Sequence, residues 1–187
     1  FHADDVVGGG ILVGVFPSHR LVRTRKQELI DAADFAVDVG GVWDAAKGRF
    51  DHHQRGFDGA RPAQLVDGNT VPGVGYASAG LVWSQYGTAY VQAWCAAQGH
   101  ALDAAAIEQI VRSIDQSLVQ YLDIVDTGQG DVSPGIFGLS SLIAQLNTHW
   151  LEEKGLDHAA KAQLLETRFR EAIAITRKFL DHAISKK

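Results

Sequence analysis

Asp51-His52-His53 sits between Arg49-Phe50 and Gln54-Arg55, downstream of a second acid, Asp38, that closes the apolar run Phe35-Ala36-Val37. A divalent cation needs several carboxylate oxygens or neutral imidazoles converging on one point, and this segment supplies both kinds of donor. Mixed Asp/His ligation favours Mn, Mg, Fe or Zn over a thiolate-seeking metal. The pattern is not a zinc finger, because paired cysteines are absent, and not a zincin, because the chain has no His-Glu-x-x-His. Two further groups flank it: Phe1-His2-Ala3-Asp4-Asp5 and Asp123-Ile124-Val125-Asp126-Thr127-Gly128. Two ions about 4 Å apart, bridged by a carboxylate, could activate a water and clamp a phosphoryl group for in-line attack. Arg55, close behind His53, offers a forked donor for phosphate oxygens.

Each motif also has an ordinary reading. Asp38 before Gly40-Gly41 suits a strand-end turn, Asp4-Asp5 suits a helix N-terminus, Asp126 suits a turn at a helix end, and Asp-His-His suits a surface loop. Four such coincidences in one domain argue for one site. His19, His100, His149, His158 and His182 have no acidic or His partner at ligand spacing, and Cys95 lies in a helix-packing context. Gly8-Gly9-Gly10 lacks the pattern of a nucleotide-binding loop.

The elements that must position these residues follow from periodicity. A glycine-weakened helix is expected from Asp5 to Phe16, and a short strand from Arg20 to Arg25. The run from Asp34 to Gly41 reads as a buried parallel strand meeting a loop at its carboxyl end, the edge at which α/β proteins place ligands. Val42-Trp43-Asp44, a turn at Lys47-Gly48 and Arg49-Phe50-Asp51 form a strand pair that returns Asp51-His52-His53 to that edge. The stretch from Gly56 to Gly75 reads as a long loop. Ser78 caps a helix through Tyr86, with Gly87 as its stop. Apolar positions Ile107, Ile110, Val111, Ile114, Leu118, Leu122 and Val125 predict an amphipathic helix ending near Asp126. A further helix is expected over Leu139 to Leu146, and a long one through Leu164, Phe169, Ile173 and Leu180. The expected architecture is α/β: a doubly wound, mainly parallel sheet with helices on both faces in residues 1–150, followed by a helical extension over 151–187.

The 187 residues suffice for one well-cored domain. The net charge of −5 argues against a whole-surface grip on nucleic acid, where Lys and Arg dominate binding. A single cysteine, no targeting segment and no apolar run near the ~20 residues of a membrane span make a reducing, cytoplasmic compartment the expectation. The four tryptophans and the long final helix permit a homodimer.

In its motifs and their order the chain resembles the Myg (melanocyte-proliferating-gene) family of the DHH phosphoesterase superfamily, which also includes RecJ-type nucleases and manganese-dependent inorganic pyrophosphatases. The residues that carry the resemblance are Phe1 to Asp5, Val22-Arg23-Thr24-Arg25, Val37-Asp38-Val39-Gly40-Gly41, Arg49 to Arg55, Ser78-Ala79-Gly80-Leu81-Val82 and Val125-Asp126-Thr127-Gly128. The resemblance implies that His2 and Asp4 are metal ligands of a first motif, Asp38 a bridging ligand and His52 a ligand of the third motif. It implies further that Asp51 supports the ligands, His53 faces the phosphate and Asp126 is the fourth-motif acid, with Asp123 as the substitute. Here the fourth motif reads Asp-Thr-Gly, where the family has Asp-Asn-Gly.

In the family another His precedes the position of His2, and a substrate-facing segment follows the position of Lys187; a chain bounded by Phe1 and Lys187 is expected to lack both. The implied cofactor is Mn²⁺ first and Mg²⁺ second. The implied activity is phosphodiester hydrolysis by a 3′-to-5′ exonuclease on single-stranded RNA. Two other readings stay open: a hydrolase of a small phosphate ester, pyrophosphate or cyclic dinucleotide, toward which the acidic balance leans, and a non-catalytic, metal-holding, RNA-associated module.

Overall fold

Helix α1 (Ala3–Val15) carries Gly8, Gly9 and Gly10 in its interior, where each glycine costs roughly 1 kcal/mol relative to alanine. The computed structural model, which describes residues 1–130 and 138–186, shows what Gly8 permits: a Cβ there would lie 2.7 Å from Cγ1 of Val37. The helix backbone therefore lies directly on the strand that leads to Asp38. Val6, Val7 and Ile11 of α1 are fully buried, each such side chain contributing roughly 1.5–3 kcal/mol.

After α1 the segment Arg20 to Arg25, expected as a strand, is irregular. Among the described residues no strand pairs with it, and side chains of a later helix hold it instead. The Arg23 guanidinium lies over the rings of Phe1 and Phe169, and Arg170 donates to the Leu21 carbonyl. A short helix, α2 (Gln27–Asp31), follows.

Strands β1 (Ala36–Val37), β2 (Trp43–Asp44) and β3 (Arg49–Phe50) form one small sheet in the order β1-β3-β2. The β1–β3 pair is parallel and the β2–β3 pair antiparallel. A 3-10 turn, Ala45–Lys47, and Gly48 at φ 67° connect β2 to β3, so the expected strand, turn and returning strand are present. The fold is mixed α/β, but helices predominate, and a doubly wound parallel sheet is not seen among the described residues. The helical segments that were expected to flank such a sheet pack chiefly on one another.

Within the stretch expected as a loop, β4 (Gln64–Val66) and β5 (Asn69–Val71) form an antiparallel hairpin. Its turn residues Asp67 and Gly68 have φ of 49° and 77°. Two successive positive φ values with an Asp-Gly pair are the signature of a tight hairpin turn, a signal legible in the sequence.

Helix α3 (Ser78–Ala97) passes straight through Gly87, where a stop was expected. One glycine costs only ~1 kcal/mol in a helix, and burial of Trp83, Tyr90, Val91 and Cys95 on either side outweighs it. Helix α4 (Ala104–Ile114), capped by Asp103 on the N–H of Ala106, continues through a π-helical turn, Asp115–Val119, into α5 (Gln120–Asp126). That matches the expected long amphipathic helix, with Ile107, Ile110, Ile114, Val119 and Leu122 in the core. The chain then forms α6 (Leu139–Ala144), α7 (Trp150–Glu153) and α8 (His158–Ser185), whose N-cap Asp157 accepts from Ala160. α1 packs against α3 on one side and α8 on another, so residues of the expected extension lie directly on the first helix of the site-bearing part. No helix among the described residues is long and apolar enough to cross a membrane.

Candidate metal centre

Because β1 and β3 run parallel and adjacent, the residues after their carboxyl ends, Asp38 and Asp51, arrive side by side. The Asp38 N–H donates to the Phe50 carbonyl at 3.0 Å, and the Asp51 N–H to the Val42 carbonyl at 3.1 Å. Asp38 has φ 55°, followed by Gly40 at 96° and Gly41 at 65°. A non-glycine residue in the left-handed region costs of order 1 kcal/mol, a cost that collects at functional sites.

Asp51 is buried and clamps the two loops together. Its Oδ2 accepts the Gly41 N–H at 2.7 Å, and its Oδ1 accepts the His53 N–H at 2.9 Å and lies 2.8 Å from His53 Nδ1. Burial alone would raise this carboxyl, but the hydrogen bonds from His53 and Gly41 outweigh it and hold it below the ordinary range. The His53 side chain remains 63% exposed, with its Nδ1 also 3.4 Å from Asp38 Oδ1. With Nδ1 committed to carboxylates, Nε2 is the nitrogen left to face solvent.

His52 turns inward, its ring 4.1 Å from that of His53 between centroids. Nδ1 is 3.0 Å from Ser78 Oγ and 3.7 Å from Asp4 Oδ2, and Nε2 is 3.2 Å from Asp126 Oδ2. The hydrogen bond with Asp126 is the chief reason that the His52 pKa is raised. Ser78 Oγ in turn donates to Asp38 Oδ1 at 3.4 Å.

Asp4, on the first turn of α1, is 1% exposed. Its two oxygens accept the N–H groups of Ser78, at 2.9 Å, and Ala79, at 2.6 Å, which are unpaired donors at the start of α3. Burial pushes its carboxyl up to about 8, with the charges of Asp126, Asp38 and Asp123 adding and the Ala79 hydrogen bond opposing. Asp38 is pushed up to about 6 by burial, with Asp5 and Asp126 next. Carboxylates that raise one another in this way mark a region of uncompensated negative charge, which a bound divalent cation would relieve.

The ligand-type atoms fall into two groups, in each of which they lie within 4.8 Å of one another: Asp38, Asp51, His52 and His53, and Asp4, His52 and Asp126. His52 belongs to both, so two adjoining positions share one imidazole. Oxygen and imidazole donors in these numbers fit Mn²⁺, Mg²⁺ or Zn²⁺, and each carboxylate oxygen that already accepts one N–H keeps a second lone pair.

Of the residues singled out in the sequence, Asp4, Asp38, Asp51, His52, His53 and Asp126 are brought together. His2 and Arg55 are not in either group. His2 is exposed at the start of α1, its N–H donating to Asp5 at 2.8 Å, and Arg55 is exposed on the loop after His53. Asp123, weighed as a substitute for Asp126, is fully buried and is held by the Gly80 N–H at 3.1 Å and Arg61 Nη1 at 2.7 Å. Thr127, in place of the family's Asn, donates its hydroxyl to the Asp123 carbonyl at 2.7 Å. With Gly128 at φ 67°, it closes α5 just past Asp126. Ser78, expected as a helix cap and as the start of the Ser78 to Val82 motif, is instead the first residue of α3 and turns its hydroxyl to His52 and Asp38, while Arg61 was not singled out in the sequence. No spacing rule distinguishes a serine that orients an imidazole from one that caps, and Arg61 lies in a segment read as loop.

This strand-end cluster is an arrangement of acids and imidazoles able to hold a metal ion, and comparison with known proteins assigns the family of the chain. The model of the MYG1 exonuclease group, described as an uncharacterised protein family (UPF0160), matches residues 1–187. The chain belongs to that family. It is 32% identical over 160 residues to a MYG1 protein of Caenorhabditis elegans, covering 81% of this chain and 45% of the relative. It is 30% identical over 161 residues to the MYG1 protein of Dictyostelium discoideum, with 81% and 45% covered. With the MYG1 exonuclease of Homo sapiens the identity is 28% over 159 residues, with 80% and 41% covered. The chain thus spans less than half the length of these relatives. No solved structure gives a significant match.

Proposed function

We propose that this chain carries the metal centre of a divalent-cation-dependent phosphoesterase that degrades single-stranded RNA from its 3′ end. The observation that carries the reading is the convergence of Asp4, Asp38, His52 and Asp126 from four separate segments on the carboxyl edge of the β1–β3 pair. The human relative, which bears the name exonuclease, supports the nuclease class.

Asp4, Asp38, His52 and Asp126 would hold the cation, Mn²⁺ before Mg²⁺. When bound, such an ion polarises a phosphoryl oxygen and lowers the pKa of a bound water. Asp51 holds His53 by Nδ1, so that Nε2 meets the substrate from the open side. His53, through Nε2, and the exposed Arg55 then stabilise the negative charge that develops on the phosphate oxygens as water adds to phosphorus and the ester oxygen leaves with a proton. Ser78 fixes the His52 ring through Nδ1, leaving Nε2 on the side of Asp126.

The test is hydrolysis of 3′-labelled and 5′-labelled single-stranded RNA by the full-length protein with Mn²⁺, beside Asp38→Ala and His52→Ala. Stepwise shortening from the 3′ end, lost in both variants, is expected. Intact RNA with hydrolysis of a small phosphate ester or dinucleotide would move the substrate to that class, which the net charge of −5 favours. Intact substrates of both kinds with Mn²⁺ still bound would leave a binding module.

A further inference from the structure

The most tightly built polar cluster outside the ligand set is centred on Arg61. Its side chain is 6% exposed, although it comes from a Gly- and Pro-rich segment. The guanidinium grips Asp115 with two hydrogen bonds, Nε to Oδ2 at 2.7 Å and Nη2 to Oδ1 at 2.6 Å, and reaches Asp123 Oδ2 with Nη1 at 2.7 Å. The Tyr76 ring stacks on it at 4.6 Å.

Asp115 and Asp123 are eight residues apart on what would otherwise be one α-helix. At ~100° per residue they would point about 80° apart. The π-helical turn Asp115–Val119 takes in one extra residue and reduces that divergence to about 20°. One guanidinium can then hold both acids.

The consequence reaches the metal centre by two routes. Asp123 and Asp126 lie three residues apart on α5, hence on neighbouring positions of one face, so the rotation that seats Asp123 on Arg61 also aims Asp126 at His52 Nε2. The other oxygen of Asp123, Oδ1, accepts the Gly80 N–H, on the same first turn of α3 whose Ser78 bonds His52 Nδ1.

We propose that Arg61 is a positioning residue for the metal centre, which sets the rotation of α5 through Asp115 and Asp123 and thereby places Asp126 and Ser78 on the two nitrogens of His52. This rests on the metal-centre reading above. Arg61 bonds none of the residues of the two ligand groups; it acts through Asp115 and Asp123.

The experiment measures Mn²⁺ affinity by calorimetric titration and thermal unfolding in chelator, on the full-length protein and its Asp115→Asn, Arg61→Lys and Tyr90→Phe variants. Asp115→Asn keeps the shape of the acid, and Arg61→Lys keeps the charge while losing the fork, so each tests the geometry by a separate change. Tyr90→Phe removes the hydrogen bond from Tyr90 to Asp181 and serves as a destabilised control away from the cluster. Mn²⁺ affinity is expected to fall about tenfold or more in Asp115→Asn and Arg61→Lys, the scale of lost outer-sphere support, and to stay at the wild-type value in Tyr90→Phe. Wild-type affinity in folded Asp115→Asn and Arg61→Lys, with only the unfolding temperature lowered, would overturn this inference alone. A wild-type protein that bound no Mn²⁺ would overturn the metal-centre reading and this inference with it.

Discussion

Asp4 Oδ1 accepts the Ala79 N–H at 2.6 Å, joining the first turn of α1 to the first turn of α3 across 75 residues of chain. Ser78 donates to the other oxygen, so a single carboxylate serves both as a proposed ligand and as the cap of a buried helix start. Asp4 of the metal centre and Asp123 of the Arg61 cluster thus sit on consecutive N–H groups of one helix, where the helix dipole favours them.

Asp4→Ala is therefore expected to destabilise the protein even without metal. It leaves two buried N–H groups unpaired, a loss of roughly 3 kcal/mol. Urea unfolding in excess chelator measures it, and a variant as stable as wild type would show that Asp4 does not hold α3.

The pH dependence has a definite sign. Asp38 at about 6, Asp4 at about 8 and a raised His52 all bind protons more tightly folded than unfolded. Their contribution is present at low pH and is lost as pH rises through the folded values. The chelated protein should lose stability between pH 5 and pH 8, and Mn²⁺, which competes with those protons, should stabilise it most at pH 8. Melting curves with chelator and with Mn²⁺ across that range read both trends, and a chelated protein that gained stability from pH 5 to pH 8 would contradict the assignment.

His52→Ala and Arg55→Ala should separate holding the ion from meeting the substrate. His52 belongs to both ligand groups, so its loss should weaken Mn²⁺ binding at least tenfold and abolish turnover. Arg55→Ala should bind Mn²⁺ as wild type does while kcat/KM falls about 100-fold, the scale of one lost anion-stabilising donor. Calorimetry alongside initial rates distinguishes them, and equal loss of metal from both would place Arg55 within the ion's surroundings.

Gly80→Ala tests how closely α3 approaches α5. A Cβ at Gly80 would lie 1.9 Å from Asp123 Oδ2 and 2.8 Å from Tyr76 Cδ1, so the helices must part. The expected loss is about 2–3 kcal/mol, with weakened Mn²⁺ binding because Asp126 moves with Asp123. Chemical denaturation with a parallel Mn²⁺ titration checks it, and an unperturbed variant would mean that the contact is not tight.

Much of the site was legible because ligand chemistry is local. Asp51, His52 and His53 are adjacent, and the apolar run before Asp38 announces a strand whose end must meet solvent. The strand pair through Lys47-Gly48 and the helices of the second half were legible for the same reason: turn glycines and apolar periods are short-range signals. The hairpin at Asp67-Gly68 carried such a signal too and was absorbed into a loop. The wide parallel sheet was a different kind of inference. It depended on partners for short apolar runs, and among the described residues β1 pairs with β3 alone.

By itself the sequence determined which residue types can bind a cation, where most of the longer helices run and to which family the chain belongs. The tertiary structure decided which of them meet. Asp126 rather than Asp123 faces His52, because a π-helical turn and a buried arginine set the rotation of α5. Ser78 becomes part of the cluster because Asp4 holds the start of α3, while His2, though close in sequence to Asp4, is left at the exposed helix start. Residue type fixes what a side chain can do, but its direction follows from helix rotation and from close approaches such as those at Gly8 and Gly80, and these exist only once distant segments have packed.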